Sequence, residues 1–326
     1  LEAVIRCAGN LIQSDRQGMI NVAFLSTPGV MVPLEEPLRR ELPGISFSTW
    51  PDEAARDAEL AVCWKPQAGV LASMPKLKLI HSIAAGVDNI LSDPTLPDLP
   101  ICRIVDPDLT SAMTEFVLWG SLYFHRDFDR VISNARDGIW RRYEQYAPQQ
   151  RRVGILGFGA LGAAAAARLV DLGFSVSAWS RSPKSVAGVT MFSGDDTLDA
   201  FLGQVDILVS LLPLTPSTMG LLNAERLGRL PKGAALVLCS RGEHLVMDDL
   251  VGLLRSGHLR GAVLDVFERE PLPPDHPLWR EPGVLVTPHM AAIASWSVIA
   301  QQIAENVRRL QRGETLLNAV DRGRGY

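Results

Sequence analysis

Val153-Gly154-Ile155-Leu156-Gly157-Phe158-Gly159-Ala160-Leu161-Gly162 stands near the middle of the chain and runs into an alanine-rich segment ending at Leu172. The order is a strand-like run, then G-x-G-x-x-G, then a helix-like run, which is what a dinucleotide site needs. The first glycine permits a tight turn, the second lets backbone approach a pyrophosphate, and the third lets the helix pack on the strand. The helix N-terminus then faces the anion. The following strand-like run, Ser175-Val176-Ser177-Ala178-Trp179, leads into Ser180-Arg181-Ser182. NAD sites carry an Asp or Glu at that place for the ribose 2′-hydroxyl. Here a guanidinium flanked by two hydroxyls replaces it, a planar fork suited to phosphate oxygens. NADP(H) is therefore the expected cofactor, with NADH the weaker alternative. A solvated surface arginine is the other reading of Arg181.

Nearly half the chain precedes the fingerprint. Strand-like runs at 20–25, 45–49, 59–64, 77–82 and 100–105 alternate there with helix-like segments at 34–42 and 66–74, as in a parallel sheet covered on both faces. Met113 to Ile132 carries Phe116, Val117, Leu118, Trp119, Leu122, Tyr123 and Phe124, and reads as one buried helix linking two domains. After the fingerprint, strand-like runs at 205–212, 234–239, 260–266 and 284–287 complete a doubly wound sheet. Near the end, Trp296, Ile299, Ile303, Val307 and Leu310 recur at helical spacing, and Arg308, Arg309, Arg312 and Gly313 close the segment as helix ends close. The fold class is α/β, with two doubly wound parallel-sheet domains.

A chain of 326 residues has room for two such domains. The composition, 47% hydrophobic and 21% charged, is that of a globular protein. A formal charge of -4 offers no basic field for nucleic acid. Cys7, Cys63, Cys102 and Cys239 lack C-x-x-C spacing, which suggests reduced thiols in the cytoplasm and no metal site. The apolar stretch from Val153 to Ala167 is shorter than a membrane span and rich in glycine, so no membrane partner is expected. Residues 1–18 are interrupted by Arg6, Asp15 and Arg16 and read as an extension outside the fold rather than a signal peptide.

Ligands of open α/β sheets sit at the carboxyl ends of the strands. Strand 234–239 leads to Ser240-Arg241-Gly242, strand 260–266 to Asp265, Glu268 and Glu270, and strand 284–287 to Pro288-His289. An arginine, a carboxylate and a histidine at these ends suit reduction of a 2-keto acid. Arg241 would hold the carboxylate in a bidentate pair. His289 would give a proton to the carbonyl oxygen, and Glu270 would orient the imidazole and favour its charged form. Asp265 would accept a hydrogen bond from the nicotinamide amide. Each residue alone also fits a surface ion pair or a loop cap. Among the other histidines, His81 reads as core, His125 follows the buried helix, and His258 and His276 sit in polar turns. His244 is the rival to His289, although it falls at the start of the next helix rather than at a strand end. In the first half, Ile83-Ala84-Ala85-Gly86-Val87-Asp88 follows a strand as a small-residue loop able to turn N–H groups toward an anion. It would give a second grip on the carboxylate, with Trp50, Trp64 and Lys65 lining the same cleft.

Taken together these residues resemble the D-isomer-specific 2-hydroxyacid dehydrogenase family over 19–326. The resemblance rests on Ala84 to Asp88, Gly157 to Gly162, Leu212-Pro213-Leu214-Thr215 with Thr218, and Ser240-Arg241-Gly242. Leu264-Asp265-Val266-Phe267-Glu268-Arg269-Glu270-Pro271-Leu272-Pro273 and Thr287-Pro288-His289 complete it. Within the family, Arg103 to Asp106, Trp179 to Ser182, Pro277-Leu278-Trp279 and the terminal Val320 to Tyr326 are similar to the glyoxylate/hydroxypyruvate reductase A group. The resemblance implies a Rossmann NADP-binding domain, 116–291, inserted in a discontinuous flavodoxin-like substrate domain, 19–115 and 292–326. It implies catalytic Arg241, Glu270 and His289, with Glu270 rather than Glu268 as the acid because it precedes Pro271. Cofactor contacts are implied at Gly157, Phe158, Gly159, Ala160, Leu161, Gly162, Ser180, Arg181, Ser182, Leu212, Pro213 and Thr218. Cys239, Ser240, Arg241, Asp265 and His289 continue that set, while substrate contacts fall on Ala85, Gly86, Val87, Arg241 and His289. A homodimer through the nucleotide-binding domains is implied as well. One departure is Leu238, where the family often has Asn three residues before the arginine.

The implied activity is NADPH-dependent reduction of glyoxylate to glycolate and of hydroxypyruvate to D-glycerate. Two alternatives stay open: a reductase of bulkier 2-keto acids on the same frame, and a nucleotide-sensing binding protein without catalysis, since fold alone does not fix activity.

Overall fold

The computed structural model describes residues 20–27 and 29–322; residues 1–18 and the terminal Gly323 to Tyr326 lie outside them. The chain forms two compact units, one of residues up to Asp106 together with those from Ile293 onward, the other Pro107–Ala292.

The first unit begins with β1 (Ile20–Leu25), α1 (Val32–Glu41), β2 (Ile45–Thr49), α2 (Glu53–Arg56), β3 (Leu60–Cys63), β4 (Leu79–Ser82), α3 (Asp88–Leu91) and β5 (Ile101–Cys102). Every residue of β3 and β4 is buried, as the continuous apolar runs of a sheet covered on both faces require. The strand order is β2-β1-β3-β4-β5, all parallel, the flavodoxin-like arrangement. The segment 66–74 is not a helix. Gly69, with φ +84°, and its N–H bond to Asp93 Oδ2 at 2.9 Å turn the chain there, leaving one 3-10 turn at Leu71–Ser73.

The second unit continues with α4 (Pro107–His125), α5 (Phe128–Arg136), β6 (Arg152–Leu156), α6 (Ala160–Asp171), β7 (Ser175–Ser180), β8 (Val189–Ser193), α7 (Leu198–Leu202), β9 (Ile207–Ser210), α8 (Ala224–Leu227), β10 (Ala234–Leu238), α9 (Met247–Arg255), β11 (Leu259–Leu264) and β12 (Val284–Val286). Its seven parallel strands run β12-β11-β10-β9-β6-β7-β8, with the fingerprint strand β6 at the point where the order reverses. The chain then returns to the first unit through α10 (Trp296–Arg312). Ser295 Oγ accepts the Val298 N–H, Gly313 closes the helix at φ +66°, and Ile299, Ile303 and Val307 are buried on a face that packs against α1. Burial of each such side chain stabilises the unit by about 1.5–3 kcal/mol.

Two sequence expectations differ here. The domain boundary, expected between 115 and 116, falls before Pro107. Helix α4 is unbroken from Pro107 to His125, and its Met113, Val117 and Phe124 share a core with Val153, Val237 and Val263 of the second sheet. The expected single buried helix from Met113 to Ile132 is instead two helices. Asp127 takes a left-handed φ of +59° so that its carboxylate, together with Asp129, meets the buried guanidinium of Arg260 at 2.7 and 2.5 Å. One face of the pair is open: Trp119, Leu122, Phe128, Val131 and Ile132 are exposed. No helix among the described residues is long and apolar enough to cross a membrane.

Candidate active site

The three fingerprint glycines do three different jobs. At Gly157, φ is +104° and an added Cβ would lie 2.7 Å from the Leu211 carbonyl, so only glycine fits the turn. At Gly162, a Cβ would meet the Gly157 oxygen at 2.4 Å, which fixes how closely α6 approaches β6. A Cβ at Gly159 would meet nothing within 4 Å. Open space in front of that N-cap residue, at the start of a twelve-residue helix, is what a pyrophosphate requires. The chain is thus built to receive a dinucleotide.

At the end of β7, Ser180 is buried and its hydroxyl donates to the Ser182 carbonyl at 2.8 Å. Ser180 therefore holds the turn, while Arg181 and Ser182 are the exposed groups that it presents. Sequence reasoning missed Lys184. Its ammonium donates to the Phe158 carbonyl and stands 5.9 Å from the Phe158 ring, which places a second cation between the glycine turn and the Ser180–Ser182 turn. A cation three residues after Arg181 was the available signal.

Strand β10 leads into buried Cys239 and Ser240, then half-buried Arg241. Burial raises the Cys239 thiol pKa, aided by the Asp265 charge, so it is a packing group rather than a nucleophile. The Arg241 guanidinium donates to the Ser240 carbonyl at 2.7 Å. Gly242 is the reason this arginine lies beside the next strand end. A Cβ there would stand 2.0 Å from the Phe267 carbonyl carbon and 2.2 Å from the Glu268 nitrogen, so the two backbones touch directly.

The acid–histidine pair is formed. His289 Nδ1 lies 2.8 Å from Glu270 Oε2, with side chains 29% and 15% exposed. The other Glu270 oxygen accepts the Phe267 N–H at 3.0 Å. Glu268 is exposed. A carboxylate that accepts from Nδ1 keeps a proton there and leaves Nε2 for other work.

His289 has φ +52°, a left-handed conformation that costs a non-glycine residue of order 1–3 kcal/mol. Asp265 holds it there. This carboxylate is fully buried and accepts from Thr287 Oγ1 at 2.6 Å, from Met290 N–H at 2.9 Å and from Ala291 N–H at 2.9 Å, while its own carbonyl takes the His289 N–H. Asp265 thus braces the backbone beneath the histidine, and its carboxylate, with about four lone-pair sites, keeps capacity for one further donor.

In the first unit, the loop after β4 contains Ala85, Gly86 and Val87. The Ser82 hydroxyl accepts the Ala84 N–H and donates to the Gly86 carbonyl, and Arg103 donates to the Ala85 carbonyl. Trp50 packs against the first unit's core. Among the described residues, no group of three or more His, Cys, Asp or Glu could hold a metal ion.

Comparison with known proteins agrees with this frame. The family model described as D-isomer specific 2-hydroxyacid dehydrogenase, NAD binding domain, matches residues 118–291. A D-isomer specific 2-hydroxyacid dehydrogenase family protein from Klebsiella pneumoniae 342 is 44% identical, with TM-score 0.89, over 93% of this chain and 98% of that one. A D-isomer specific 2-hydroxyacid dehydrogenase from Xanthobacter autotrophicus Py2, solved with NADPH and MES, is 41% identical, with TM-score 0.84, over 94% and 99%. An NADPH-dependent glyoxylate/hydroxypyruvate reductase from Sinorhizobium meliloti, solved with NADP and sulfate, is 36% identical, with TM-score 0.84, over 94% and 99%.

Proposed function

The chain belongs to the D-isomer specific 2-hydroxyacid dehydrogenase family, and from that premise we propose that it is an NADPH-dependent reductase of small 2-keto acids, glyoxylate and hydroxypyruvate foremost. The observation that carries the reading is the 2.8 Å pair of His289 Nδ1 and Glu270 Oε2 at a strand end. Similarity to a glyoxylate/hydroxypyruvate reductase supports the choice of small substrates.

When bound, the reduced nicotinamide supplies a hydride to the keto carbon. The chain's own groups do the rest. Arg241 holds the substrate carboxylate through paired N–H donors, fixing the keto group in one orientation. His289, as imidazolium, keeps its Nδ1 proton, which it donates in a hydrogen bond to Glu270, and delivers its Nε2 proton to the carbonyl oxygen. Glu270 is held by the Phe267 N–H, so the imidazole plane is set from below, and Asp265 sets its backbone. Arg181 and Lys184 read the 2′-phosphate, and the Gly159 end of α6 faces the pyrophosphate.

Trp119, Leu122, Phe128, Val131 and Ile132 of α4 and α5 are exposed, as are Ile139 and Trp140, the latter 92% exposed, a concentration of large apolar side chains that suits an interaction surface. A second copy of this chain covers it, and sedimentation equilibrium decides the point: a dimer mass supports this, a monomer contradicts it.

The mechanism is tested by His289→Ala. NADPH binding stays within a few-fold of wild type while turnover falls by about 10²- to 10⁴-fold, the usual contribution of a positioned acid. Full turnover by that variant refutes the role given to His289.

A further inference from the structure

A buried chain of polar side chains runs beneath Arg241 and is used by no step above. Ser210 Oγ lies 3.0 Å from Ser240 Oγ, Ser240 Oγ lies 2.8 Å from His244 Nδ1, and His244 Nε2 lies 3.3 Å from the Pro213 carbonyl oxygen. Ser210 and His244 are fully buried and Ser240 is 6% exposed. The Pro213 oxygen can only accept, so Nε2 carries a proton toward it. In the neutral ring Nδ1 is then an acceptor for the Ser240 hydroxyl, which in turn accepts from Ser210. All the donors point one way along the chain.

Each end of this chain is attached to a working part. The Pro213 oxygen also accepts from Thr218 Oγ1 at 2.8 Å, and Thr218 Oγ1 accepts the Thr215 N–H at 2.8 Å, so that carbonyl anchors the whole Pro213–Thr218 turn. Just before it, the Leu211 and Leu212 backbone abuts Gly157 of the fingerprint. At the other end, the Ser240 carbonyl receives the Arg241 guanidinium, and the His244 N–H bonds the Arg241 carbonyl at 3.3 Å.

We propose that His244 is a positioning residue: its ring ties the Pro213–Thr218 turn to the Ser240–Arg241 strand end, so that one buried side chain sets both the turn beside the dinucleotide and the arginine that grips the substrate. This rests on the functional reading given above for Arg241 and for the turn. It also accounts for the tolerance of Leu238, since the strand end is held from His244 rather than by an amide at 238. The two ring nitrogens serve different clients. Nε2 holds the cofactor-side turn, and Nδ1 holds Ser240 and, through it, Arg241.

The test uses His244→Leu, His244→Gln and His244→Asn in the full chain, with NADPH affinity by fluorescence titration, kcat and KM for glyoxylate, and melting temperature. His244→Leu loses both bonds and weakens NADPH binding and kcat/KM each by about tenfold or more. The Gln amide nitrogen reaches the place of Nε2, so this variant keeps NADPH affinity within threefold while kcat/KM stays low. The Asn oxygen takes the place of Nδ1, so that variant keeps kcat near wild type while NADPH binding weakens. A merely structural residue would lower the melting temperature and move no binding or rate constant in the folded fraction; that result overturns the proposal. Loss of the same parameter in the Gln and Asn variants overturns it as well, and these two carry the test if the Leu variant does not fold. If the wild-type protein binds NADPH but reduces no 2-keto acid, it is the functional reading that has failed. The NADPH affinities of the Gln and Asn variants then still decide the role of His244, a split supporting it and equal values refuting it.

Discussion

Gly242→Ala is a small change that separates Arg241, the proposed carboxylate grip, from the Glu270–His289 pair. The added methyl would lie 2.0 Å from the Phe267 carbonyl carbon, 2.2 Å from the Glu268 nitrogen and 2.5 Å from the Phe267 Cα, all backbone atoms that no rotamer change can remove. Ordinary contact begins near 3.4 Å, so one backbone must retreat by about 1.4 Å. The segment bearing Gly242 carries Arg241, and the segment bearing Phe267 holds Glu270 through its N–H, so whichever yields, the two parts of the site move apart. Overpacking of this kind costs about 1–3 kcal/mol, a fall of roughly 3–10 °C in melting temperature. Misplacement by about 1 Å costs of order 10²-fold in rate. The assay is kcat/KM for glyoxylate with saturating NADPH, beside NADPH affinity and the melting curve. The expected variant is folded, binds NADPH within a few-fold of wild type, and is slower by about a hundredfold. A kcat/KM within threefold of wild type would refute the reasoning that the Gly242 contact fixes the site.

Arg181→Ala lowers the NADPH preference by about 1.5–3 kcal/mol, the scale of a hydrogen bond to a charged group, and Lys184→Ala lowers it in the same direction; the ratio of NADPH to NADH kcat/KM measures both, and an unchanged ratio removes that residue from phosphate reading. His81 gives a pH effect on stability. It is fully buried, its Nε2 meets the Asn306 amide at 3.2 Å, and burial lowers its pKa from 6.5 to about 4. The unfolded chain therefore takes up the proton first, and stability falls as pH drops from about 6.5 to about 4, by about 3 kcal/mol in total. In wild type the unfolding free energy across that window carries a slope of about 1.4 kcal/mol per pH unit that His81→Gln lacks; equal slopes contradict the assignment.

What was legible in the sequence was local in the chain. The fingerprint, the apolar strands and the polar strand ends all lie within a few residues of the features that reveal them. The family resemblance selects Glu270 over Glu268 by its place before Pro271, and the folded chain puts Glu270 2.8 Å from His289. What was not legible depends on distant partners. The break at Asp127 is set by Arg260, 133 residues away, and nothing near Asp127 announces it. The bracing role of Asp265 is likewise visible only in the folded chain, where its carboxylate accepts from Thr287, Met290 and Ala291. The edge strand β8 at Val189–Ser193 was missed because its half-buried residues make a weak apolar run. His244 ranks behind His289 in the sequence because it lies away from a strand end; only the folded chain shows it fully buried with Nδ1 2.8 Å from Ser240 Oγ.

The most direct measurement is the initial rate of NADPH and NADH oxidation by the purified protein with glyoxylate, hydroxypyruvate, pyruvate and a bulky aromatic 2-keto acid. Fast NADPH oxidation with glyoxylate and hydroxypyruvate, and slow oxidation of NADH, is the result expected. Preference for the aromatic acid, or no turnover with any of the four despite tight NADPH binding, would contradict it.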